Sequence, residues 1–229
     1  MNADPRLIVP LDLPSVAEAR QMVEALDDAV SFYKIGLELL ATDGMAFAGD
    51  LKRQGKQVFL DWKLHDIGAT VERSARVLAG AGCDLLTVHA EPQVMAAAVK
   101  AKGGSSLKIL AVTVLTSLTD ADLIEMGYAF GTRDLVARRI RQAVDCGVDG
   151  IVSSPQEAAL AREIAGPDFL VVTPGVRPFW AAKHDQARAA TPADALKAGA
   201  SHLVCGRPIT AANDSREAAL KVVAEMAGV

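Results

Sequence analysis

Six residues near the first third of the chain, Asp61-Trp62-Lys63-Leu64-His65-Asp66, set two carboxylates and an ammonium at the end of the apolar run Val58-Phe59-Leu60. Extended backbone alternates its side chains, so Asp61 and Lys63 are expected on one face while Trp62 and Leu64 turn to the other. On a buried strand each such charge is costly unless it is paired. Lys34, in Phe32-Tyr33-Lys34-Ile35-Gly36, ends the preceding apolar run and adds a second ammonium, and Asp66 follows on the loop. A carboxylate within a few ångströms holds an ammonium in its charged form. Lysines held that way are proton donors rather than Schiff-base nucleophiles. An ion-pair network that only closes one end of the fold would use the same residue types, and for Asp61 and Lys63 alone the two readings balance. Lys34 and Asp66 at adjacent strand ends tilt the reading toward chemistry. The four histidines, His65, His89, His184 and His202, show no ligand spacing of the His-Glu-x-x-His kind, so no metal role is expected for them.

A second constellation lies toward the C-terminus. Thr173-Pro174-Gly175-Val176-Arg177-Pro178 and Cys205-Gly206-Arg207-Pro208-Ile209-Thr210 echo one another, each following an apolar run. Each offers a glycine for close backbone approach and an arginine for a bidentate phosphate contact. The stretch from Phe179 to Gln186 between them carries polar residues and aromatics, and fits equally a lid over a ligand or a plain surface loop.

These residues need elements to hold them. Apolar runs recur at Leu7 to Leu13, Phe32 to Gly36, Val58 to Lys63, Leu85 to Ala90, Ile109 to Val114, Gly150 to Ser153, Phe169 to Thr173 and His202 to Cys205, each followed by a stretch of helical periodicity. Eight units in 229 residues leave about 29 residues each, close to a minimal βα repeat. The runs are apolar on both faces, as parallel strands under helices should be. A single-domain (β/α)8 TIM barrel spanning residues 1–229 is therefore predicted, with an open doubly wound sheet as the alternative. In a barrel, the chemistry sits at the C-terminal ends of the strands, and the loops after strands seven and eight commonly hold phosphate. Pro10 is awkward in either fold, because it cannot donate to a ladder and a barrel has no free edge.

Composition bounds the partners. The chain is 51% hydrophobic and carries 24 basic against 28 acidic residues, a net charge of −4, which gives no reason to expect a nucleic-acid polymer as partner. Three cysteines, Cys83, Cys146 and Cys205, show no Cys-x-x-Cys and are expected as reduced thiols. No 18-residue apolar run occurs and Met1 to Arg6 is polar, so no membrane association is expected and a cytoplasmic location is.

The run Asp61-Trp62-Lys63-Leu64-His65-Asp66-Ile67, with Lys34 one strand earlier, resembles the orotidine 5′-monophosphate decarboxylase family. The likeness extends from Ile8-Val9-Pro10-Leu11-Asp12 to Gly206-Arg207-Pro208-Ile209-Thr210. The resemblance implies decarboxylation of orotidine 5′-monophosphate to uridine 5′-monophosphate without metal or organic cofactor. Carried over by position, Lys63 is the acid that protonates C6, Asp61 faces the substrate carboxylate, and Lys34 and Asp66 complete a charged tetrad. Asp12 matches a ribose contact and Thr116 a pyrimidine contact. Arg177, Gly206 and Arg207 match the phosphate grip, and Gln186 the lid residue bridging phosphate and base. Asp66, Ile67 and Thr70 would reach into a partner's site, which implies a homodimer with shared active sites. Trp62 stands where an aliphatic residue is common, and Gly68-Ala69 where Pro-Asn is common. Trp62 is expected to face the helices, and Gly68-Ala69 to alter how the next helix begins. Related phosphosugar decarboxylases and aldolases share Asp-x-Lys-x-x-Asp but hold magnesium partly through an acidic residue on strand two, where this chain has Lys34. A catalytically silent nucleotide-binding barrel is the alternative from another class.

Overall fold

A computed structural model describes residues 3–181 and 190–227. Eight parallel strands close into a barrel in sequence order: β1 (Leu7–Pro10), β2 (Phe32–Ile35), β3 (Gln57–Leu64), β4 (Leu85–His89), β5 (Lys108–Val112), β6 (Gly150–Val152), β7 (Leu170–Pro174) and β8 (His202–Val204). The predicted TIM barrel is the observed fold. The longer helices alternate with the strands outside it: α1 (Val16–Leu26), α2 (Leu37–Leu40), α3 (Gly44–Arg53), α4 (Gly68–Gly80), α5 (Pro92–Lys102), α6 (Asp120–Glu125), α7 (Thr132–Cys146), α8 (Ala158–Ala165), α9 (Pro192–Lys197), α10 (Arg207–Thr210) and α11 (Ser215–Met226). Among the described residues no helix is long and apolar enough to cross a membrane.

Strand alternation divides the apolar residues into two layers. Ile8, Phe32, Phe59, Leu85, Leu110, Val172 and Val204, with Val152 and Leu170 against them, fill the barrel interior. Every strand thus contributes to the plug. The intervening residues, among them Val9, Tyr33, Ile35, Leu60, Leu86, Ala111, Ile151, Val171 and Leu203, face the helices. Gly150 is required where β6 crosses β7, because a Cβ there would stand 2.4 Å from the Leu170 carbonyl oxygen and 2.9 Å from a Leu110 methyl.

Counting two residues onward from the plug along β1 to β4 gives the next inward layer: Pro10, Lys34, Asp61 and Thr87. Pro10 ends its strand sooner than the apolar run suggests. Arg6 and Ile8 accept from Leu203 and Cys205 of the β8 side, whereas Leu11 donates to Lys34 on the β2 side. By that alternation Pro10 turns its missing donor toward β8, beyond the last paired position Ile8↔Val204, where no ladder bond is lost.

Candidate active site

Lys34, Asp61 and Lys63 meet above the plug. Lys63 Nζ lies 2.8 Å from Asp61 Oδ1, and Lys34 Nζ lies 3.4 Å from Asp61 Oδ2. The structure adds Asp12, whose carboxylate accepts from Lys34 Nζ at 2.9 and 3.2 Å. Two ammonium groups and two carboxylates therefore alternate along a chain Asp12, Lys34, Asp61, Lys63. Lys34 is buried while Asp12 is half-exposed, and Lys63 at the other end is more exposed than Asp61, so the centre of the row is its most buried part. Burial pulls the Asp61 pKa upward, but the charges of Lys34 and Lys63 and hydrogen bonds from Lys63 and Thr87 outweigh it. Asp61 is held below the usual carboxylate range and is ionised at neutral pH.

Gly36 makes the Asp12–Lys34 pair sterically possible. A Cβ at that position would stand 2.4 Å from Asp12 Oδ1 and 3.1 Å from Lys34 Nζ. Any larger residue would displace the carboxylate from the ammonium.

Asp61 and Lys63 share a face as alternation predicts, with Leu60, Trp62 and Leu64 on the other, but the backbone between them is not a regular strand. The β3–β4 register shifts between Leu60↔Leu86 and Leu64↔Val88, so β3 spends four residues where β4 spends two. Within that irregular segment Lys63 has φ of 47°, in the left-handed region that a lysine rarely occupies. Trp62 is buried in the layer between barrel and helices, as expected, with Leu64 packed against that layer. Such backbone strain persists only where the surroundings over-determine it, and it gathers at functional sites. Thr87 supplies part of that determination. Its hydroxyl accepts from the Lys63 backbone N–H at 3.0 Å and donates to Asp61 Oδ1 at 3.0 Å. The sequence reading passed over Thr87, although a single hydroxyl at inward spacing from Leu85, inside the apolar run Leu85-Leu86-Thr87-Val88, marks it.

Asp66 does not join this cluster within one chain. It is exposed on the loop after β3, and its carboxylate accepts the N–H of Ile67 at 2.6 Å. Ile67 is 69% exposed, and Thr70, on the first turn of α4, accepts from Arg73 at 3.2 Å. The Gly68-Ala69 start of α4 leaves ordinary spacing to α5, since a Cβ on Gly68 would come no nearer than 3.7 Å to the Gln93 carbonyl oxygen. His65 stands beside the site with its Nε2 3.6 Å from Glu91 Oε2 and its ring 4.7 Å from that of His89.

At the other side of the mouth, Thr173 is fully buried on β7 and Gly175 follows it with φ of 79°. Arg177 is buried, its backbone N–H donates to Ala190, and its side-chain Nε has no hydrogen-bond partner among the described residues. Gly206 precedes α10, whose first residue Arg207 is exposed. Gly206 also lies against β1, where a Cβ would stand 2.9 Å from Pro10 Cγ. Thr116 is exposed on the loop after β5. Gln186 and His184 lie outside the described residues. Phe179, at the start of the predicted lid, is 79% exposed.

Comparison with known proteins joins these features to a family. Residues 5–222 match the family described as Orotidine 5′-phosphate decarboxylase / HUMPS. The chain is 89% identical over 229 residues to an orotidine 5′-phosphate decarboxylase of Caulobacter sp. (strain K31), with both chains covered completely. It is 57% identical to one of Rhodopseudomonas palustris (strain BisB5), covering 99% of this chain and 98% of that one. The crystal structure of orotidine 5′-phosphate decarboxylase from Lactobacillus acidophilus superposes with a TM-score of 0.85 at 36% identity, covering 97% of this chain and 99% of that one. An uncharacterized conserved protein of Geobacillus kaustophilus gives a TM-score of 0.82 at 34% identity, covering 96% and 99%. With the barrel, the Asp-x-Lys-x-x-Asp strand and the full-length likeness all in agreement, the chain belongs to the orotidine 5′-phosphate decarboxylase / HUMPS family.

Proposed function

We propose that this chain decarboxylates orotidine 5′-monophosphate to uridine 5′-monophosphate and carbon dioxide, the last step of de novo pyrimidine nucleotide synthesis, in the cytoplasm. The observation that carries the reading is the charge-alternating row Asp12, Lys34, Asp61 and Lys63 at the barrel mouth, with Lys34 and Asp61 its least exposed members. The bond from C6 to the carboxylate carbon breaks, carbon dioxide departs, and the electron pair is left on a ring carbon that has no electron sink. A fixed ammonium beside that carbon stabilises the pair as it develops, and costs no reorganisation at the moment of reaction. Lys63 supplies that ammonium and then its proton to C6. Asp61 fixes Lys63 by the 2.8 Å contact and presents a negative charge to the substrate carboxylate, so binding energy is not spent on the ground state.

The remaining assignments follow the family resemblance. Asp12 takes the ribose, Thr116 the pyrimidine, Arg177, Gly206 and Arg207 the phosphate, and Gln186 bridges phosphate and base. The unpartnered Nε of buried Arg177 supports an anionic ligand at that end of the mouth. Asp66, Ile67 and Thr70 serve the site of a second subunit in a homodimer. Their support is that Asp66 and Ile67 are exposed in the single chain and that Asp66 makes no ion pair with the lysines of its own cluster among the described residues.

The family description also covers a second kind of enzyme, and the magnesium-dependent phosphosugar reactions implied by the resemblance are the rival. Lys34 argues against them. Its ammonium occupies the gap between the Asp12 and Asp61 carboxylates, where a divalent cation would have to bind, and a cation there repels another. The test is spectrophotometric consumption of orotidine 5′-monophosphate with and without exhaustive chelation. Undiminished turnover is expected. Absence of turnover, or loss that magnesium restores, overturns the reading.

A further inference from the structure

We infer that Thr87 is a positioning residue for the decarboxylation: its one hydroxyl sets Asp61 and Lys63 relative to one another. The inference rests on the function proposed above, but its structural half stands on β3 and β4 alone. Thr87 is fully buried on β4, on the inward layer directly above Leu85 of the plug. A hydroxyl has one proton and two lone pairs, so it can accept one bond and donate another. Here it accepts from the Lys63 N–H at 3.0 Å and stands 3.0 Å from Asp61 Oδ1 but 3.5 Å from the Leu60 carbonyl. The shorter contact, to an ionised acceptor, takes the proton.

Both bonds fall in the stretch where the ladder between β3 and β4 loses its regular register. The backbone N–H of Lys63 therefore has a side chain for partner where a regular strand would offer a carbonyl. At that residue φ is 47°, a conformation that lysine leaves unless something holds it. The Lys63 side chain closes on Asp61 Oδ1 at 2.8 Å, the same oxygen that Thr87 holds. Thr87 is thus tied to the backbone of the proton donor and to the carboxylate that aims its ammonium. It is fully buried beneath them, so its action passes through those two residues.

Thr87→Val keeps the shape and removes the hydroxyl, whereas Thr87→Ser keeps the hydroxyl. Steady-state kinetics on orotidine 5′-monophosphate and NMR amide exchange at Lys63 are measured on full-length wild type and both variants. Thr87→Val is expected to lower kcat by about 10- to 100-fold with little change in KM, the scale on which a displaced catalytic group costs rate. The Lys63 amide is expected to exchange faster in the same variant, and Thr87→Ser to restore both quantities. A Thr87→Val enzyme with wild-type kcat, a kcat loss without faster Lys63 exchange, or a folded Thr87→Ser enzyme as slow as Thr87→Val overturns the inference. Should Thr87→Val not fold, Thr87→Ala reads the same two quantities. A wild type that does not turn over orotidine 5′-monophosphate overturns the proposed function instead, and Lys63 exchange still decides the structural half.

Discussion

The two ends of the barrel use the same residue types to opposite effect. At the N-terminal end, Asp84 accepts from the Val58 N–H and from Lys52 Nζ, both at 2.7 Å, and Asp149 accepts from the Ile109 N–H at 2.8 Å and from Lys102 Nζ at 2.5 Å. Ser201 does the same for Val171, accepting its N–H at 2.9 Å. In each case the residue entering one strand caps the N–H of the second residue of the strand before it, and its own N–H returns to that residue's carbonyl. These carboxylates finish the sheet. At the C-terminal end, Asp61 is shared by two lysines and Lys34 by two carboxylates, on a backbone that is strained at Lys63. A Lys–Asp pair near 2.8 Å is therefore no mark of a site by itself. Asp149 is likewise shared by two lysines, Lys102 and Lys108, so it is the irregular backbone and the alternation of four charges in a row that distinguish the candidate catalytic end from the structural one.

Substitutions at the two ends should fail in different ways. The largest effect is expected for Lys63→Ala, which should lower turnover of orotidine 5′-monophosphate by about 10³-fold or more while leaving thermal stability and uridine 5′-monophosphate binding near wild type. Near-normal turnover would erase the contrast by making Lys63 another structural lysine. Next, mixing Lys63→Ala with Asp66→Asn chains should regenerate one working site per mixed dimer, although each variant alone is inactive. If subunit exchange is demonstrated and no activity returns, each site is built within one chain. At the opposite end, Asp149→Ala should cost about 1–3 kcal/mol in denaturant unfolding, since it strands the Ile109 N–H, yet leave kcat and KM unchanged. A kcat change larger than the stability change would show that the two ends are coupled.

The smallest effect concerns pH. For Asp149, burial raises the pKa, but hydrogen bonds from Lys102 and Ile109 and the charge of Lys102 outweigh it, so it too is held below its ordinary value. A carboxylate lowered in the folded state stabilises fully above its unfolded pKa, about 4, and loses that contribution as pH falls through the lower folded value. The stability gap between wild type and Asp149→Ala should therefore be constant near neutrality and shrink below about pH 4. A gap that persists in acid would assign the loss to packing rather than charge.

Periodicity carried most of the fold. Eight apolar runs, each followed by a helical stretch, are difficult to satisfy in a chain of this size except by a closed parallel barrel, because each run is apolar on both faces and needs strands beside it and helices over it. Lys34, Asp61 and Lys63 were legible as charges that no apolar strand would carry without a partner. The three strand-entry caps were written as Gly82-Cys83-Asp84, Gly147-Val148-Asp149 and Gly199-Ala200-Ser201, a repeat visible only once its role is known.

By itself the sequence determined which residue types lie at each strand end, and therefore the barrel, its order and its charged mouth. Tertiary structure alone decided which of those charges meet. Asp12 lies 22 residues from Lys34 and Thr87 lies 24 from Lys63, and their contacts exist because the sheet sets β1 to β4 side by side, with a register shift between β3 and β4. The left-handed turn at Lys63 was equally hidden, since a residue type fixes the cost of a conformation but not the neighbours that hold it there. Hydrophobic patterning is local and can be read along the chain; hydrogen-bond partnership across strands depends on register and bulge, and those are properties of the closed sheet.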